Sequence, residues 1–94
     1  MKTVTIQIGN SDDKLSQKRW AEFSGELDDI TNIEGIEVHF FGYSCPTRTW
    51  QNACVVANIN DQQTMDRLLI HIKELREAFE QDSIAVTIGD TQFI

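Results

Sequence analysis

Asp12 and Asp13 are adjacent carboxylates at a joint between two periodicities. Upstream, Val4, Ile6 and Ile8 alternate with Thr3, Thr5 and Gln7, the pattern of a half-buried strand. Downstream, Leu15, Trp20, Phe23, Leu27 and Ile30 fall on one helical face. Carboxylates placed there have two uses. They can hold hard cations, including a hydrolytic pair of ions about 3.5–4 Å apart. They can also favour a helix start, each by ~0.3–1 kcal/mol through the helix dipole. Adjacent aspartates at a helix start do not point at one spot, and no EF-hand-type spacing follows. The expectation is therefore that Asn10 or Ser11 caps the first helix, with Asp12 and Asp13 in its first turn.

Other reactive groups are sparse. A Cys–His nucleophile would have to combine Cys45 or Cys54 with His39, on a strand, or His71, on a helix. The cysteines have no metal-type spacing, and no glycine-rich loop is present to cradle a phosphate. Neither a metal nor another cofactor is expected, and no catalytic residue is assigned.

The 94 residues suit one domain, 1–94, with a modest core. A net charge of −7 argues against direct nucleic-acid binding, which needs clustered Lys and Arg to displace counterions. Cationic partners, neutral ligands and mimicry of nucleic acid stay open. No stretch approaches the ~20 apolar residues of a membrane span. The start MKTVTIQIG lacks a secretory pattern, so a cytoplasmic protein with two free thiols is expected.

Apolar alternation predicts strands over 3–9, 36–43, 50–59 and 84–88, with Gly89-Asp90 as a turn. Helical spacing predicts helices near 12–31 and 61–81, the second capped by Asn60 or Asp61. The order β-α-β-β-α-β resembles the α+β ferredoxin-like fold. That fold implies a four-stranded antiparallel sheet, order 4-1-3-2, with both helices on one face. Strand directions then gather three segments at one end of the sheet. They are Asn10, Ser11, Asp12 and Asp13; the hairpin from Ser44 to Asn52, with Arg48, Trp50 and Gln51; and Gln81, Asp82 and Ser83. Carboxylates, amides, hydroxyls, a cation and a large aromatic on one rigid pole suit a recognition site.

The tracts IGNSDDKLSQKRW, WQNA and QDSIAVTIG resemble those of a group of small bacterial and phage proteins. The likeness spans Ile8 to Ile94 and implies no activity. Its matching positions are Asn10-Ser11-Asp12-Asp13, Trp50-Gln51-Asn52 and Gln81-Asp82-Ser83. A weaker resemblance links Ser11-Asp12-Asp13-Lys14 to CRISPR-associated ferredoxin-like nucleases. Gly9 stands where those proteins end their first strand in an aspartate, and their basic surface is missing here.

His39, Phe41 and Tyr43 alternate with the core set of their strand and so are expected to face away from the helices. An exposed aromatic sheet face signals association. A homodimer through that face is expected, with the tail residues Phe93 and Ile94 covering part of it or adding a strand to a partner's edge. The favoured reading is a non-enzymatic binding module for a protein or small polar ligand. The alternatives are an acidic phage-type inhibitor masking a nucleic-acid-binding surface, and a small metal-dependent hydrolase or nuclease.

Overall fold

The computed structural model describes every residue from Met1 to Ile94 except Ser11, Pro46 and Arg48. The elements are β1 (Lys2–Gly9), α1 (Gln17–Thr31), β2 (Ile36–Tyr43), β3 (Asn52–Ile59), α2 (Gln62–Ala78) and β4 (Ala85–Asp90). The sheet order is β2-β3-β1-β4, with every neighbouring pair antiparallel. This is the expected ferredoxin-like α+β arrangement, read from its other edge.

The alternation of β1 explains its central place. Val4, Ile6 and Ile8 are buried, opposite Ala57, Val55 and Ala53 of β3. Onto this face pack Trp20, Phe23 and Leu27 of α1 and Met65, Leu68, Ile72 and Leu75 of α2. Phe23 meets Phe79 with ring centroids 4.9 Å apart, which ties α1 to the end of α2. Among the described residues no helix is long and apolar enough to cross a membrane.

Several boundaries differ from expectation, and α2, expected to reach residue 81, ends at Ala78. α1 begins at Gln17, capped by Ser16, whose hydroxyl accepts the Arg19 N–H at 3.2 Å. Asp12 and Asp13 therefore precede the helix instead of forming its first turn, and Asn10 is not its cap. The chain stays non-helical because Asn10 engages both backbone groups of Leu15, and Asp13 turns through a φ of 56°. Next, β3 starts at Asn52, so Trp50 and Gln51 stand ahead of it. Lastly, Gly89 and Asp90 prolong β4 by pairing with Thr3 and Lys2. Asp61 caps α2 as expected, accepting the Gln63 N–H at 3.0 Å.

A β-bulge between Val38 and Phe40 changes the facing of β2. Val38 pairs with Ala57 and Phe40 with Val56, leaving His39 as the extra residue. Beyond it the phase flips. Phe41 pairs with buried Val55 and Tyr43 with buried Ala53, so both lie on the helix side. Phe41 packs against the core and meets Tyr43 edge to face at 5.4 Å. The expected outward pair of Phe41 and Tyr43 is thus corrected to a single outward ring, Phe40. The aromatic patch that motivated sheet-face dimerisation is not assembled. The tail does not replace it: Thr91 bonds back to Met1 and Thr3 at the far end of β1, while Phe93 and Ile94 are exposed.

The end of α2 is a Schellman motif. The Gln81 N–H donates to Arg76 O at 2.9 Å and the Glu80 N–H to Glu77 O at 3.1 Å. Glu80 occupies the left-handed position, with a φ of 53°. That conformation costs a residue with a side chain roughly 1–2 kcal/mol, against about 0.5–1 for glycine's greater chain entropy. Glu80→Gly should therefore raise stability by about 0.5–1 kcal/mol, read as a higher urea midpoint at unchanged slope. A lowered midpoint would contradict the motif. At the opposite pole, Lys2 Nζ lies 2.6 Å from Asp90 Oδ1 and holds that carboxyl below its ordinary value, by hydrogen bond first and by charge second. A lowered folded-state value adds stability above the ordinary carboxylate range, lost as pH falls through the lowered value. Lys2→Met should return Asp90 toward the ordinary value in an NMR carboxyl titration.

Candidate functional site

Antiparallel pairing brings the end of β1, the β2–β3 hairpin and the start of β4 to one pole, as the topology requires. The polar residues of this pole do different work. Asn10 is buried and serves as a clasp. Its side-chain amide donates to Leu15 O at 3.0 Å and to Gln51 Oε1 at 3.1 Å, and its Oδ1 accepts the Leu15 N–H at 3.0 Å. Gln51 and Gln17 exchange hydrogen bonds at 2.8 and 3.2 Å. Asn10 and Gln51 are therefore spent inside the protein. Ser44 closes the hairpin: its hydroxyl accepts the Asn52 N–H at 3.0 Å and donates to Trp50 O at 3.2 Å. Gln81, also buried, donates its side-chain amide to Phe79 O at 3.0 Å.

A hollow of about 600 Å³ lies on the face turned away from the helices. Its floor is a registered row across all four strands: Gly42, Cys54, Gln7 and Ala85. Three of these four side chains are small, so the row lies lower than its surroundings. Phe40 borders it on one side. A Cβ built on Gly42 would collide with the Phe40 ring, so this ring covers the glycine at van der Waals range. Toward the pole, Gly9, Asn52, Ser44, Asp12, Asp82 and Ser83 close the hollow. Asn52 and Gly9 pair directly, and Gly9 lets the Asn52 amide lie flat against β1.

The charge here is ordered by Lys14. Its ammonium lies 3.2 Å from Asp82 Oδ2 and 3.7 Å from Asp12 Oδ2. Asp82 chiefly, then Asp12, raises the Lys14 ammonium above the ordinary lysine range. Lys14 lines a separate, smaller hollow with Leu15, Arg19 and Phe79, so it reaches the two carboxylates from outside the main one.

Of the expected site residues, Asp12, Asn52, Gln81, Asp82 and Ser83 line the hollow. Trp50 is exposed and borders an adjoining recess with Ser44, Thr49 and Asn52. Asp13 is absent from both linings, and Ser11 and Arg48 lie outside the described residues. Gln7, Gly9, Phe40, Gly42 and Cys54 were not among those expected. The outward phase of β1 pointed to Gln7 and Gly9; the bulge hid Phe40 and Gly42. Neither histidine lines the hollow. Cys45 is exposed in the hairpin, where hydrogen bonding with Thr47 lowers its thiol below the ordinary value. Among the described residues no group of His, Cys, Asp and Glu is arranged to hold a metal ion.

No protein-family description matches this chain, and no curated protein sequence does. A similar solved structure is the de novo designed protein Foldit4, 14% identical, with a TM-score of 0.54. The match covers 97% of this chain and 96% of that one. At this identity the likeness shows the fold alone. It carries no function, because one scaffold hosts many sites.

The clasp can be tested directly. Asn10→Ala removes hydrogen bonds each worth about 1 kcal/mol and leaves the Leu15 backbone unpaired. The expected loss is about 2–3 kcal/mol by urea denaturation. A loss near zero would show that the loop is held elsewhere.

Proposed function

We propose that this chain is a non-catalytic binding domain that takes a small polar ligand or a peptide segment in the hollow on the outer face of its sheet. The observation carrying this reading is the lowered row Gly42–Cys54–Gln7–Ala85, walled by three loops and by Phe40. It spans three strand spacings, about 14 Å, which accommodates a few residues of extended chain. Small floor residues admit a ligand close to the backbone, and the side-chain amides of Gln7 and Asn52 give it direction. Two facts favour binding over turnover. A cysteine nucleophile needs a neighbouring base, and neither histidine borders the hollow beside Cys54. Asp12 and Asp82 both meet the Lys14 ammonium, so the carboxylates at the hollow are engaged as ion-pair partners. The two unpaired thiols fit a reducing, cytoplasmic setting.

A panel of short peptides and small polar compounds, screened by amide chemical shifts, should yield binders that move Gln7, Gly9, Gly42, Cys54 and Ala85. Ala85→Trp, which fills one end of the floor from an exposed position, should abolish those shifts while leaving the core resonances in place. Binders that map to the helices, or that survive Ala85→Trp, would overturn the proposal.

A further inference from the structure

We propose that the hollow recognises a cationic side chain, the guanidinium or ammonium of a basic segment in a partner protein, and that Lys14 competes with it for the same two carboxylates. This rests on the hollow being the binding site and goes on to name its ligand. The described lining holds two carboxylates, Asp12 and Asp82, and no Lys or Arg. Their geometry suits a single cation, since one oxygen of each converges on the one nitrogen of Lys14. The Lys14 contact is solvent-exposed on both sides, with side chains 48% exposed for Lys14, 44% for Asp12 and 88% for Asp82. Exposed ion pairs of this kind are weak and exchange readily. Both carboxylates border the hollow, whereas Lys14 does not.

The rest of the lining agrees. Phe40 stands at the border with its ring partly exposed, a surface on which a guanidinium can lie. The amide oxygens of Gln7 and Asn52 and the hydroxyl of Ser83 are acceptors, which a donor-only guanidinium requires. An anion would face two carboxylates, and an apolar ligand would strip water from them without replacing it. The net charge of −7 draws basic partners from a distance.

The probe is the capped peptide Gly-Ser-Arg-Ser-Gly, with a twin in which citrulline replaces Arg, keeping the shape without the charge. Binding is followed by amide shifts in wild type, Asp82→Asn, Lys14→Gln and Asp90→Asn. The Arg peptide should move Gly9, Gly42, Cys54 and Ala85, and the citrulline twin should bind at least tenfold more weakly. Asp82→Asn should weaken the Arg peptide at least fivefold, and Lys14→Gln should tighten it at least twofold. Asp90→Asn removes the same charge at the opposite pole and should change nothing. If both peptides move the hollow equally, the hollow binds but the cation reading falls. If neither moves it at millimolar peptide, the cation reading falls, and the panel screen above decides the hollow separately. If Asp90→Asn weakens binding as much as Asp82→Asn, only net charge is at work and the assigned site is wrong. Weaker binding by Lys14→Gln would overturn the competition.

Discussion

The pairing of β1 with β3 on one side and β4 on the other is the constraint on which everything else depends. A central strand buried on one face must present alternate residues on the other. Val4, Ile6 and Ile8 thus go to the helices, while Thr3, Thr5 and Gln7 go outward. Antiparallel neighbours also make strand ends meet strand starts. The loop after β1, the hairpin before β3 and the turn before β4 therefore share one pole. No local preference of those loops puts them together; the ladder does.

Within that frame, two small irregularities shape the hollow. The bulge at His39 turns Phe40 outward and Phe41 inward, so one ring borders the outer face and another fills the core edge. The buried amide of Asn10 holds the chain between β1 and α1 as a loop, which places Asp12 beside the hollow instead of inside a helix. Both are local departures from regular structure, and such departures are where binding surfaces are commonly built.

The likeness to a designed protein sharpens the separation between fold and site. Burying alternate residues under two amphipathic helices is sufficient for this architecture, whatever the surface does. The polar pole has to be understood on its own terms: which groups are consumed in holding the loops, and which are left to a ligand. Asn10, Gln51, Gln17 and Gln81 belong to the first set, by their hydrogen bonds. Asn52 and Gln7 border the hollow with side chains outside this set, and Asp82 borders it while paired with Lys14.

The sequence by itself determined the order of elements, the sheet topology, the core and the pole at which polar loops gather. These follow from periods of two and 3.6 residues and from chain connectivity, which are one-dimensional properties. Trp20, Phe23, Leu68, Ile72, Leu75 and Phe79 are buried as their spacing requires. Only the tertiary structure decided the phase of β2, because a bulge is an agreement between two strands and has no signature in one of them. It alone decided that Ser16 starts α1, since Asn10 has a better use for its side chain in bonding Leu15 and Gln51. It alone separated the available polar residues from the committed ones. That distinction depends on partners far apart in the chain, as Asn10 and Gln51 are at 41 positions, and contacts of that kind exist only once the chain has folded.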